Sequence, residues 1–217
     1  MRNSGKYHNY ELHPVKRMEG FDKQAWEGAG AIGKILQERV SGILQQKNKA
    51  VVCFDMYPGV RKEEILCLAE TLRPVQIWDM EDYARTEDDI NQMFADFITN
   101  DRVFGVMCHK KIDSLFEAEK LEQARAELKA TAQGCVVIMG MGAGILSEGD
   151  LYIYCNLTRW EIQLRYRAGM PNWHCTNTDA PILSKYKKGF FVEWRLADRH
   201  KRERYERFDF MLDTERQ

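Results

Sequence analysis

The sequence lacks most of the features that would settle its class quickly. No apolar run in its 217 residues reaches the roughly 18–20 needed to span a bilayer. The opening MRNSGKYHNYELHP has positive charge without an apolar stretch behind it, so no secretory signal is expected. Neither sign of charge dominates: 32 Lys and Arg face 33 Asp and Glu, for a formal net charge of −1. That balance removes any global electrostatic reason to expect nucleic acid or an anionic membrane as partner. There is no internal repeat and no low-complexity segment. There is no C-x-x-C pair among Cys53, Cys67, Cys108, Cys135, Cys155 and Cys175. Widely spaced cysteines without an export signal are expected to stay reduced in the cytoplasm, and Cys53, Cys135 and Cys155 sit in apolar runs as small hydrophobes. The adjacent pairs Cys108-His109 and His174-Cys175 point away from one another in most backbones, so no metal site is expected.

What is present is the balance of a globular chain, with 44% hydrophobic and 30% charged residues. Residues 1–22 read as an extended lead-in and residues 23–217 as a single domain. Ile32, Ile35, Leu36, Val40, Ile43 and Leu44 recur at helical spacing within 24–46. AVVCF (50–54) is a short apolar run of the kind buried on both faces of a sheet. A turn at Asp55–Gly59 leads to a helix over 62–72, and VQIW (75–78) is the next strand. Helices follow over 87–98 and 115–132, with a short strand possible at 103–107. CVVIM (135–139) and LYIYC (151–155) are further buried strands, separated from the chain's end by a helix over 158–167. GFFVEWR (189–195) reads as a strand, 197–205 as a short helix and FDFMLD (208–213) as the last strand. Strands alternating with helices predict an α/β fold: a three-layer, mainly parallel sheet with helices on both faces.

Ligands of such sheets bind beyond the carboxyl ends of the strands. The segments there are Asp55–Lys62, Asp79–Tyr83, Gly140–Gly144 and Asn156–Arg159. A nucleotide loop reads G-x-x-x-x-G-K-S/T, with Lys on the outer phosphates and a hydroxyl on magnesium. The stretch DMYPGVRKEE puts Asp55 at the leading glycine and offers Arg61 or Lys62 for the Lys, and no Ser or Thr follows. It is a plain strand-to-helix turn, a weak anion site through Gly59, Arg61 and Lys62, or an altered nucleotide loop. Gly140, Gly142 and Gly144 serve either close packing or the approach of a ligand to the backbone. Asp79 and Asp82 suit a general base or magnesium ligands, or a helix cap. Arg159 and Arg165 on one helix are candidate phosphate ligands or a solvated face.

The stretches DMYPGV, IWDMEDY, VVIMGMGAGILSEGDLYIYCNLTRWEIQLR, YKKGFFVEWRLADRHKR and FDFMLDT together resemble the amino-terminal domain of long bacterial class I mannose-6-phosphate isomerase-type proteins, from about Gly20 to Thr214. In those proteins a cupin-type isomerase barrel follows, with a metal held by His, Gln and Glu. No matching ligand motif occurs here, so no isomerase residue is carried over. The layout is also similar to uridine kinase and its relatives, the P-loop kinases, with a degenerate phosphate loop. That resemblance places Asp79 near the base for the nucleoside hydroxyl, and Arg159 and Arg165 among lid arginines.

Three functions are in play. The leading expectation is a non-catalytic kinase-like domain of sugar-phosphate metabolism that binds a phosphorylated small molecule or a partner isomerase domain. An alternative is an active nucleoside or sugar kinase using Mg-nucleotide, with Asp79 as base. The third is an interaction module presenting Trp26, Trp160, Trp173 and Trp194.

Overall fold

The computed structural model describes residues 19–21 and 23–215. The lead-in expected over 1–22 therefore lies largely outside the described residues. The five strands are β1 (Lys49–Met56), β2 (Gln76–Asp79), β3 (Gly134–Gly140), β4 (Leu151–Asn156) and β5 (Phe210–Asp213). They form one sheet in the order β2-β3-β1-β4-β5, and all four pairings are parallel. β1 is central because its side chains can be buried on either side. Ala50, Val52 and Phe54 belong to one core layer, and Val51 and Cys53 to the other.

The first layer is covered by α1 (Ala29–Gln46) and α2 (Lys62–Glu70), which contribute Leu36, Val40, Ile65 and Leu68. The second is covered by α3 (Glu87–Ile98) and α4 (Ala118–Ala130), through Ile90, Phe94, Leu121 and Ala124. This is the expected three-layer α/β arrangement. A one-turn helix, α5 (Ala143–Leu146), follows β3, and α6 (Arg159–Arg167) follows β4. Thr158 caps α6 by accepting the Glu161 N–H, the local reason the chain turns helical there.

Two expectations fail. Residues 103–107 form no strand; the Asp101 carboxylate takes up the Val103 and Phe104 N–H groups in a tight loop instead. The segment 189–195 is helical: α7 (Ile182–Lys188) runs through a π-helical turn at Gly189–Glu193 into α8 (Trp194–Arg204). β-Branched and aromatic residues suggested a strand, but Val192, Glu193, Trp194 and Leu196 are buried at a spacing that wraps around a helix.

Candidate functional site

The strand-end segments do meet at one rim. Asp55 stands opposite Gly140 in the β1–β3 register, and Lys62 reaches Asp79 across the start of α2. At the centre of the rim is Asp55, completely buried at the end of β1. One carboxylate oxygen accepts the Gly142 N–H at 3.0 Å. The other accepts the Gly144 N–H at 3.1 Å and the Tyr152 hydroxyl at 2.6 Å, and lies 2.6 Å from His200 Nε2. Arg204 Nη1 stands 3.1 Å from His200 Nδ1. A carboxylate can only accept, so Nε2 carries its hydrogen toward Asp55. Burial alone would raise the Asp55 pKa, but His200 and the Tyr152 and Gly144 hydrogen bonds outweigh it and hold the carboxyl below its usual value.

The glycines of 140–144 acquire a specific role from this geometry. Gly142 has φ +82° and turns its amide toward Asp55. A Cβ on Gly144 would lie 2.2 Å from the Tyr152 hydroxyl. Two of the loop's amides thus hold the protein's own carboxylate. Gly140, at φ +122°, packs against Met80. Gly59, at φ +88°, faces Ile162 and Leu157, and its carbonyl accepts from Arg165 at 2.9 Å.

The other expected residues divide clearly. Lys62 donates to Asp79 at 2.6 Å and lies 3.5 Å from Glu81; burial would lower its pKa, but these carboxylates raise it. Asp79 also caps the turn that follows, accepting the Glu81 N–H at 3.0 Å, and Asp82 is exposed. Arg61 pairs with Glu64 at 3.2 Å. Arg165 is buried, clamping the Gly59 and Thr214 carbonyls at 2.9 and 2.8 Å and Glu161 at 2.9 Å. Arg159 is the exception. It lies half-exposed over the Trp194 ring at 5.5 Å and pairs with Asp198. The Tyr57 hydroxyl donates to the same Asp198 at 2.7 Å, and Arg195 Nη2 lies 3.4 Å from it. Lys201 completes this cluster by donating to Asn156 at 2.8 Å.

The segment 99–108 is fastened to α7, the π-helical turn and α8. Lys187 donates to the Thr99 carbonyl at 3.3 Å, the Cys108 N–H donates to Phe191 at 2.8 Å, and Arg199 donates to the Cys108 carbonyl at 3.0 Å. On the other side, Glu87 accepts the Thr176 N–H at 3.0 Å. Beneath them Glu193 is buried, accepting the Tyr166 hydroxyl at 2.9 Å and the Asn172 amide at 3.0 Å; burial raises its pKa. The four tryptophans do not form one interface: Trp160 is 60% exposed, but Trp194 is buried at 3% beneath Arg159 and Trp173 packs on Phe116. Among the described residues, no three or more His, Cys, Asp or Glu gather as a metal set, and no helix is long and apolar enough to cross a membrane.

Sequence reasoning missed Asp55 as an acceptor, together with Tyr152, Asp198 and Glu193. His200 entered that reasoning only within the stretch YKKGFFVEWRLADRHKR. The one available signal was an acid at the position where a phosphate loop needs glycine.

These features define a parallel α/β domain whose strand-end amides bind an internal carboxylate. Residues 30–217 match the family described as Domain of unknown function (DUF8485), and the chain belongs to that family. Among solved structures it is similar to a shikimate kinase from Bacteroides thetaiotaomicron, with 16% identity and a TM-score of 0.42 over 76% of this chain and 87% of that one. No curated protein matches it.

Proposed function

We propose that this chain is a kinase-like domain that does not transfer phosphate and instead binds a phosphorylated small molecule where β1 and β4 end. The observation that carries this reading is the seat of Asp55. In a phosphate-binding strand-end loop, backbone amides point at an anion supplied by the ligand. Here Gly142 and Gly144 point at a carboxylate that belongs to the chain. A triphosphate brought to the same amides would meet that negative charge in a buried setting, where repulsion is strong.

The side chains support the same reading. Lys62, the nearest substitute for a phosphate-loop lysine, is engaged by Asp79 and Glu81. Asp79, the base in the kinase alternative, is thereby committed to an ion pair and a cap. Arg165 is committed to backbone carbonyls. Arg159, Arg195 and Lys201 remain as cations along an accessible rim. A sugar phosphate is the ligand class in best accord with the sequence resemblance, and a cupin-type isomerase barrel is the partner that resemblance implies.

The test is a thermal-shift titration of the chain with Mg-ATP, metal-free ATP, inorganic phosphate and mannose 6-phosphate. A ligand at 100 times its dissociation constant adds about 2.7 kcal/mol. Stabilisation by phosphate or mannose 6-phosphate, with none specific to Mg-ATP, is expected. A shift that requires both ATP and magnesium would restore the kinase alternative and overturn this reading.

A further inference from the structure

At the β1–β4 rim, three donors from three different elements converge on one carboxylate. Tyr57, just past β1, donates its hydroxyl to Asp198 Oδ1 at 2.7 Å. Arg159, the first residue of α6, pairs with Asp198 Oδ2. Arg195, one turn before Asp198 on α8, holds Nη2 3.4 Å from the same oxygen. An ordinary surface ion pair joins two mobile side chains and does little. This arrangement is built differently. Tyr57 is buried, the Arg159 guanidinium lies over Trp194 at 5.5 Å, and Arg195 lies over Phe190 at 5.1 Å. The aromatic faces fix the planes of both guanidiniums before any anion arrives.

The donor set also exceeds what Asp198 uses. Arg195 Nε is shielded from water and makes no hydrogen bond, and the equally shielded Nη2 has only its 3.4 Å ion pair with Asp198. Buried donors left in that state are uncommon and call for an explanation. Lys201 adds a third cation beside Asp198, held over the Tyr154 ring at 5.0 Å, and burial lowers its pKa. Two guanidiniums thus pair with one carboxylate, and an ammonium lies within its electrostatic reach. A phosphomonoester brings about −1.5 to −2 charge and three acceptor oxygens, a closer match to that set than a single carboxylate. Asp198 is 37% exposed by its side chain and borders an open cavity of about 620 Å³ lined by Lys201, Arg202 and Arg207 together with Glu148, Glu203 and Glu206. It therefore has room to rotate away while a ligand enters.

We propose that Asp198 is the internal occupant of a phosphomonoester subsite formed by Tyr57, Arg159, Arg195 and Lys201, and that ligand binds by displacing it. This rests on the reading of the chain as a phosphate-ligand domain and adds a gate to it. The intrinsic site is stronger than it measures in the wild type, because every binding event must first break the Asp198 contacts. Removing the carboxylate is then a gain of function.

The experiment is calorimetric titration of the whole chain with inorganic phosphate and with mannose 6-phosphate, comparing wild type, Asp198→Asn, Asp198→Ala and the double variant Asp198→Asn/Arg159→Ala. Circular dichroism confirms that each is folded, and two different Asp198 replacements guard against one of them failing. The expected result is at least tenfold tighter phosphate binding in both single variants, abolished in the double variant. Wild-type binding that is unchanged or weakened in folded Asp198 variants would overturn the gate while leaving the broader reading intact. No phosphate binding by any folded variant would overturn both. A gain that acetate shares equally would reduce the subsite to a general anion site and overturn its assignment to phosphomonoesters.

Discussion

Replacing Asp55 by Asn changes one oxygen to an amino group, yet the geometry makes it a severe substitution. The carboxylate accepts from Gly142 on one oxygen and from Gly144, Tyr152 and His200 on the other. An Asn that keeps its oxygen on the crowded side turns its amino group toward the Gly142 N–H. The opposite rotamer turns it toward Gly144 and His200. In the first case the Gly142 N–H and the new amino group are left without an acceptor, and in the second Gly144, Tyr152 and His200 lose theirs, so at least two buried donors go unpaired at about 1–3 kcal/mol each, for a total near 2–6 kcal/mol. For a domain of this size each kcal/mol moves the melting temperature by about 2–4 °C, so a fall of at least roughly 4 °C follows. Urea unfolding followed by tryptophan fluorescence measures the loss directly. Because the folded pKa of Asp55 is depressed, its contribution is complete above the ordinary aspartate value of about 3.9 and is lost as pH falls through the lower folded value. The gap between wild type and variant should be flat near neutrality and close in acid. A loss below about 1 kcal/mol, a typical single hydrogen bond, would refute Asp55 as the hub of the rim, and so would a gap that widens on acidification.

Other substitutions probe the same reasoning. Gly144→Ala places a Cβ 2.2 Å from the Tyr152 hydroxyl and 2.8 Å from Asp55 Oδ2, and should cost about 1–3 kcal/mol by overpacking, read from the urea midpoint. Lys62→Met removes a partly exposed ion pair; it should change stability by at most about 1 kcal/mol and leave the dissociation constant for inorganic phosphate unchanged in calorimetry. Glu193 has a folded pKa raised by burial. The wild type is therefore penalised progressively as pH rises from the ordinary glutamate value of about 4.3 through the folded one. Glu193→Gln should gain stability relative to wild type over that window in melting scans, whatever the constant offset between them.

Much of the fold was legible because the signals were local. The runs at 50–54, 135–139 and 151–155 are apolar throughout, as strands buried on both faces must be. The run 189–195 misled for a physical reason. Phe190, Phe191, Val192 and Trp194 carry strand propensity, and only the burial of Leu196, Ala197 and His200 beyond them shows one helical face continuing through the π turn. The site was legible in part. Position after a strand led to a shared rim, at which Arg159 lies beside Asp198. It could not reveal that Arg165 turns inward to Gly59, because a helical arginine looks the same in sequence whether it faces solvent or carbonyls. The Asp55–His200 contact spans 145 positions and its partners fit no motif.

The position of Asp55 also explains how the domain can be complete without a ligand. Amides that converge at a strand end are costly to bury without an acceptor. In a loop that binds phosphate, the ligand supplies that acceptor. Here the carboxylate supplies it permanently, and Tyr152 and His200 extend the same centre into β4 and α8. The Gly142 and Gly144 amides are satisfied within the core, so phosphate arriving at the rim is not expected to act through them. Any response to ligand must then run through side chains that still have alternatives. α8 places Asp198 in the Arg159 cluster and, two residues on, His200 against Asp55. If Asp198 moves on binding, α8 is the element that can carry the change to the α7 and 99–111 segments fastened to it. Amide hydrogen exchange with and without phosphate checks this directly: protection should change in α8 and 99–111, and remain unaltered at Gly142 and Gly144.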